Sequence, residues 1–438
     1  MHNVLIISLH YPPDNIIAAR RSEAYAKHLY KFGIYPTILT DRFEKVFDEN
    51  GKWIDLIRHT RTDEPLIEEF PTHRVIRLPR VITAWQKIAN KISRIPLIAS
   101  GFNQIMHWKG HLEIHLIGHY LNYKRFLLKH LNTQSYDLIL AIDSPHYHVR
   151  LASEMHKVYN IPFICDFRDL FDNDALNNDT RIPVFRRFLN FSKLYHLKKW
   201  IKKGKAVTSA SAVYAEFYGK MAGLPFFEIT NGFDPSVYAN KPSPSKEKFS
   251  LAHVGQIYDN QNWDVFFQGL LKFLDRKPDA RLEVMFVGPR KKKLGLLEPF
   301  RKKLPSVLKI TPWVEKEEAI ATMQRSHVLL LSSWEGTKGV YSGKLFEYLG
   351  ARRPILLSPG NEDVADELIK KTNSGVVANT PEEVSTFISA KYAEWMQKGV
   401  VSYEGVEDEI EKYSRENQVK KMAELIKEHM HETSIDKT

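Results

Sequence analysis

The sequence predicts an α/β protein made of two successive halves, each a largely parallel sheet dressed with helices. Three observations predict it. Short apolar runs, among them Val4-Leu5-Ile6-Ile7, Leu138-Ile139-Leu140-Ala141-Ile142 and Val328-Leu329-Leu330-Leu331, alternate with longer helix-like stretches, and strands buried on both faces read as such continuous runs. Residues 239–248, with Pro242, Ser243, Pro244, Ser245 and the lysines Lys241, Lys246 and Lys248, read as a linker. After it the rhythm restarts at Leu251. Two domains is the default for a chain of 438 residues. The division expected is 1–238, a linker at 239–248, and 249–413, with a last helix over 414–438 packing back on the first half.

In chain order, residues 4–9 form the first strand, His10 to Asn15 a breaker-rich loop, and Ala18 to Phe32 a helix closing at Gly33. Pro36 to Thr40 is the next strand. The loop lacks the G-x-G-x-x-G of dinucleotide folds. Arg20 and Arg21, in the first turns of the helix, are candidates for reaching an anion, against the alternative of surface charge. Arg74 to Leu78 reads as a strand. Residues 84–106 place Trp85, Ile88, Ala89 and Ile92 on one helical face, with Lys87, Asn90, Lys91 and Arg94 opposite. Two readings of that segment stand: a surface lying on anionic lipid, or a helix packed on the sheet. Leu116, Tyr120, Tyr123, Leu127 and Leu131 share a face, which predicts an ordinary packed helix. The strand at 137–142 ends in Asp143-Ser144-Pro145-His146, and a helix runs on to Tyr159. Pro162 to Asp169 is a strand with a charged end. Residues 184–203 are helical and basic with apolar side chains all round the wheel, which predicts a buried or sandwiched helix rather than one lying on a membrane. Strands at 206–210 and 227–230 close the first half.

The second half reads as strands at 251–254, 282–288, 309–313, 328–333, 354–358 and 375–378, with helices at about 263–276, 316–325 and from Ser342 onward. A polar stretch precedes the last helix, about Ser414 to Met430.

Apolar residues make up 43% and charged residues 26%, the proportions of a globular protein with a sizeable core. The one cysteine, Cys165, sits in an apolar run and excludes a disulfide framework, so a reducing cytosol is expected. No run reaches the roughly 18 apolar residues of a spanning helix, and the first apolar run is too short for a signal peptide. A net charge of +11 points to nucleic acid, an anionic membrane or phosphorylated substrates. No nucleic-acid module signature is present. The 18 histidines show no metal-site spacing.

The stretch Val340-Tyr341-Ser342-Gly343-Lys344-Leu345-Phe346-Glu347 carries the functional signal. Ser342-Gly343-Lys344 at a helix start offers free backbone N–H groups, a close-approach glycine, a dipole of about half a positive charge and a full cation. Glu347, one turn later, is placed to accept both hydroxyls of a ribose. Together they describe a seat for a nucleoside diphosphate. The alternative is a capping glutamate and a solvated lysine.

The ordered set Tyr11-Pro12-Pro13-Asp14, Asp166-Phe167-Arg168-Asp169, Ile229-Thr230-Asn231-Gly232-Phe233-Asp234, His253-Val254-Gly255-Gln256 and Ser342-Gly343-Lys344-Leu345-Phe346-Glu347-Tyr348-Leu349 resembles the GT-B glycosyltransferases, in particular the retaining family-4 group that builds bacterial surface polysaccharides. The resemblance implies two Rossmann-like domains facing across a cleft, with a nucleotide-sugar donor on the second and a lipid-linked or polysaccharide acceptor on the first. It implies a UDP-type donor, no cofactor and no metal. Glu347 matches the second Glu of the family's E-x7-E motif. The first falls at Gly339, so Glu335 becomes the candidate to replace it. Gln256 stands where the family often carries a cation after Gly255. The donor site expected is therefore Ser342, Gly343, Lys344, Glu347, Glu335, Gly255 and Gln256, with Arg20 or Arg21. The catalytic candidates are His146, Asp143, Arg168 and Asp169, at strand ends where such a fold places its chemistry. The partners expected are a nucleotide sugar, a glycan or lipid-linked acceptor and an anionic membrane surface, which puts the protein on the inner face of the plasma membrane. Two other readings remain, a sugar-nucleotide epimerase of the same fold and a non-catalytic nucleotide-sugar-binding homologue.

Overall fold

The structure, a computed structural model, describes residues 1–14, 17–42, 45–47, 53–55, 64–79, 91, 117–143, 145–170, 184–239 and 242–435. Of the segment 84–106, only Lys91 falls among them, so both readings of that segment lie outside the described residues.

The chain divides into two compact units, Met1–Thr230 with Val419–Thr438, and Asn231–Gln418. The first contains β1 (His2–Ile7), β2 (Ile34–Asp41), the antiparallel pair β3 (Lys45–Phe47) and β4 (Trp53–Asp55), β5 (Leu66–Glu69), β6 (Arg74–Leu78), β7 (Leu138–Ile142), β8 (Phe163–Phe167), β9 (Ala206–Ser209) and β10 (Phe226–Glu228). Eight of these form one sheet in the order β10-β9-β8-β7-β1-β2-β6-β5. Strand β5 joins it antiparallel, and the other neighbours pair in parallel. Strand β1 lies in the middle, so Val4, Leu5, Ile6 and Ile7 are buried on both faces, which is why the run is continuous rather than alternating.

The second unit holds β11 (Phe249–Val254), β12 (Leu282–Val287), β13 (Leu308–Thr311), β14 (Val328–Leu331), β15 (Ile355–Leu357) and β16 (Gly375–Val377). They form a wholly parallel sheet in the order β13-β12-β11-β14-β15-β16. The fold class predicted from the sequence is what the structure shows, two Rossmann-like α/β units of the GT-B type.

Apolar faces fix where the helices lie. Tyr120, Tyr123, Leu127 and Leu131 are buried on or just after the helix Ile117–His130, whereas Leu116 lies outside the described residues. The sequence reading does not contain two of the helices: Val364–Thr372, between the strands read at 354–358 and 375–378, and Pro381–Lys398, in the stretch read as polar. The second packs against the helix Asp264–Arg276, with Val384, Phe387, Ile388, Tyr392 and Trp395 in the same core cluster as Phe266, Phe267, Leu270 and Phe273. The helix Arg415–Ile435 belongs to the second unit only as far as Gln418. From Val419 on, its Met422, Ala423, Leu425, Ile426 and Met430 are buried against Val4, Ile6, Leu138 and Ile229 of the first.

Near the unit boundary, Phe233 N–H donates to Tyr413 O at 3.2 Å and Arg415 N–H to Phe233 O at 2.8 Å. Gly232 permits this approach, because a Cβ there would meet Tyr413 O at 2.7 Å and Arg415 N at 2.8 Å.

The helix Val184–Ile201 corrects an expectation. It is not buried all round: Leu197 and Ile201 face the protein, but Phe191 and Tyr195 are 69% and 57% exposed.

Candidate functional site

In the second unit the strand order turns around between β11 and β14, and a doubly wound sheet opens its ligand crevice at the carboxyl ends of such a pair. The two strands part early. Their register runs only through Leu251↔Val328 and Ala252↔Leu329. Beyond it, side chains replace the ladder. Val254 N–H donates to Tyr348 Oη at 2.9 Å, and Tyr348 O–H donates to Leu330 O at 3.3 Å. Burial and the nearby Lys344 push His253 down to about 3, so its ring is neutral and carries one proton. The shorter contact assigns that proton to Nδ1, donating to Leu330 O at 3.0 Å, while Nε2 lies 3.3 Å from Gln256 O.

The helix Gly343–Ala351 starts at this gap, because Ser342 caps it. Its backbone is extended and its hydroxyl accepts from Lys344 N–H at 3.3 Å. Lys344 turns into the space that Gly255 leaves: its Nζ donates to Gln256 O at 2.7 Å and lies 5.5 Å from the Tyr258 ring centre. Burial lowers it from 10.5 to about 8, with Glu347 pulling it partly back. A desolvated ammonium at a helix start is a strong anion seat, since its field is poorly screened and the nearest backbone dipoles add to it. Gly255, with φ at 116°, is required twice over, because a Cβ there would sit 2.6 Å from Lys344 Cε. Gly255→Ala is expected to lower the unfolding free energy by about 1–3 kcal/mol, read by denaturant titration.

The structure thus gathers Ser342, Gly343, Lys344, Gly255 and the Gln256 backbone at one place, with Glu347 near enough to act on Lys344. The Gln256 side chain is spent on the fold: its Nε2 donates to Gly288 O at 2.7 Å and its Oε1 accepts from Arg290 N–H at 3.0 Å. Glu335 is exposed and takes a 2.9 Å hydrogen bond from Asn262 Nδ2. A carboxylate that does reach the loop at Gly339 is Asp363, accepting from Gly339 N–H at 2.5 Å.

Arg21 is not at an anion site. It is 6% exposed, its Nε and Nη2 donate to the Asp166 carboxylate at 2.8 and 2.6 Å, and its Nη1 donates to Thr230 O at 3.3 Å. Tyr25 O–H and Thr208 O–H complete the Asp166 shell at 3.0 and 2.7 Å. Arg21 therefore holds β8 to the first helix of its own unit, Ile17–His28, and has no fork left for a ligand. Arg20 is half-buried.

The first unit has its own reversal of strand order, between β1 and β7. Asp143, 5% exposed, lies just past β7, and the ring of His146 pairs with it, Nδ1 standing 2.7 Å from Asp143 Oδ1. Across the gap, past β1, His10 Nδ1 is 2.6 Å from Asp14 Oδ2. A third pair, His119 Nδ1 and Asp41 Oδ2 at 2.8 Å, stands at the last residue of β2. The sequence reading does not single out His10, His119 or Asp41, and it names Asp14 only within the stretch Tyr11-Pro12-Pro13-Asp14. The signal for the first pair is a His at the end of the central strand with an Asp four residues on. Such a pairing fixes the imidazole's orientation. His148 is buried behind them and is pushed down to about 4 by burial. Arg168 Nε donates to Asp169 Oδ2 at 2.7 Å in a largely exposed pair past β8. Among the described residues no three His, Cys, Asp or Glu side chains are grouped as a metal ion requires.

No family model matches the chain, and no curated protein matches it in sequence. Solved structures match its fold over nearly the whole length. One is a sucrose-phosphate synthase from Thermosynechococcus elongatus, at TM-score 0.62 and 11% identity, covering 98% of this chain and 100% of that one. A UDP-forming α,α-trehalose-phosphate synthase from Burkholderia vietnamiensis matches at 0.60 and 11%, with coverages of 98% and 100%. Anabaena HepE in complex with UDP and glucose matches at 0.56 and 11%, again covering 98% and 100%.

Proposed function

We propose that the chain is a retaining glycosyltransferase that moves a sugar from a UDP-type nucleotide-diphosphate donor to a lipid-linked or polysaccharide acceptor in cell-surface glycan biosynthesis. The observation that carries this is the desolvated Lys344 at a capped helix start, set at the strand reversal of the second unit. The shared fold supports the donor class, since the trehalose-phosphate synthase is UDP-forming and the HepE structure holds UDP and glucose. Negative charge grows on the leaving diphosphate as the glycosidic bond breaks, and Lys344 with the helix-start N–H groups lowers that barrier by stabilising it, without a metal. Glu347 takes the ribose diol. Acceptor and sugar chemistry fall to the first unit, where Asp143 orients His146 beside the strand reversal. The protein works in the cytoplasm at the membrane face; no described helix is long and apolar enough to cross a membrane.

The test is calorimetric titration with UDP, GDP and ADP and their glucose or mannose conjugates, followed by product analysis with membrane extract. Binding of a nucleotide sugar and transfer of its sugar are expected; no binding by any of the set removes the assignment. His146→Ala is expected to lower kcat by about 100-fold or more with donor KM nearly unchanged, measured by steady-state kinetics.

A further inference from the structure

Among the described residues nothing covers the outward face of the helix Val184–Ile201 from Phe191 on. Phe191 and Tyr195, four residues apart, lie on one stripe. Lys198, three residues on, and Lys202, one residue past the helix end, continue that stripe, and Lys199 and Lys203 flank it; all four are exposed. Among the described residues none of these four lysines has a hydrogen-bond or ion-pair partner, unlike Lys27, Lys220 and Lys272, which pair with Glu23, Glu216 and Glu382. The opposite side is fully committed. Leu197 and Ile201 are buried, and Trp200 lies under the Arg150 guanidinium at 5.6 Å. The helix therefore cannot roll to hide its aromatics without emptying the core beneath.

We propose that this stripe docks the protein on an anionic lipid surface, with Phe191 and Tyr195 entering the headgroup region and the four lysines facing lipid phosphates. Aromatic side chains followed within two turns by unpaired lysines match the two attractions such a surface offers, apolar burial at the interface and the negative surface potential. A protein partner would need carboxylates opposite the lysines and an apolar pocket opposite the rings. The chain's net charge of +11 disfavours a second copy of itself on a lysine-rich face. Lipid docking by this stripe requires no nucleotide, so its failure and that of the proposed activity are separate results.

The experiment is co-sedimentation of the full chain with vesicles of phosphatidylcholine alone or with 30% phosphatidylserine added (about a third anionic, in the range that attracts basic segments). Wild type is expected to sediment with the anionic vesicles and not with the neutral ones. Lys198→Ala with Lys202→Ala is expected to weaken this by roughly 30-fold, and Phe191→Ser with Tyr195→Ser by on the order of tenfold. All these substitutions are on the surface, and circular dichroism melting checks that both variants fold. Wild type indifferent to anionic vesicles, or folded variants that bind as wild type does, overturns the proposal. So does a Phe191→Ser/Tyr195→Ser variant whose only change is dissociation from dimer to monomer by light scattering, which would assign the stripe to a second copy.

Discussion

Asp166→Ala is expected to cost about 3–5 kcal/mol of stability, the largest effect of any single substitution in the first unit, measured by urea titration. Asp166 is wholly buried in β8 and receives four donors, two from Arg21 and one each from Tyr25 and Thr208. Removing it leaves a guanidinium with no counter-charge in the core, and the penalty is the desolvation of that cation. Burial alone would depress Arg21, yet Asp166 outweighs it and the guanidinium is held above its usual range. A partner swap separates the net worth of the pair from the cost of breaking it. Arg21→Met combined with Asp166→Leu is expected to be more stable than either Arg21→Met or Asp166→Ala alone. A double variant as damaged as the sum of the Arg21→Met and Asp166→Leu singles would show no coupling between the two residues and would overturn the orphaned-charge account.

Lys344→Met is expected to weaken nucleoside diphosphate binding by about two to three orders of magnitude, with little loss of stability. The asymmetry follows from where the charge sits. In the free protein the ammonium is desolvated, with Gln256 O and the Tyr258 ring as its consolation. That arrangement disfavours the charged form, which is why Lys344 lies at about 8 rather than 10.5. Methionine removes the burden along with the cation. The sign with pH is then fixed. The ligand selects the protonated amine, so binding raises the depressed pKa and takes up a proton near and above pH 8. Affinity should be flat below pH 7 and fall as pH rises through about 8, by up to about tenfold per unit. Calorimetry in buffers of different ionisation enthalpy reads the proton directly, and Lys344→Met should show none. Unchanged affinity across pH 7–9.5 would remove Lys344 from the seat.

Local chemistry was the legible part. The cap at Ser342 could be read because capping depends on residues two or three apart, and the central strands because burial on both faces leaves an unbroken apolar run. The helix Pro381–Lys398 carries an equally local signal in Thr380-Pro381-Glu382-Glu383, a complete capping box with proline at its first position, which the polar composition of the stretch conceals. The function of Arg21 was not legible. Its partner is 145 residues away, and nothing around either residue says which arginine turns inward. The same holds for His253 and Tyr348, whose work is to replace a ladder that ends early; a strand's register is a tertiary property. The helix Val184–Ile201 misleads because a wheel counts apolar side chains without saying which of them the neighbours cover.

The route of the last helix has a consequence for synthesis. Val419, Met422, Leu425 and Ile426 lie against Val4, Ile6 and Ile229, so segments made before and after the second unit share one core. A nascent chain emerging from the ribosome has every strand of its first sheet long before the piece that covers one flank. Throughout translation of the second unit that flank is bare hydrocarbon, and the usual vectorial order, first domain finished first, is reversed. The helix from Val419 thus completes the core of the first unit only after the second has been made, and the exposed interval before it is when chaperones would find the most to hold.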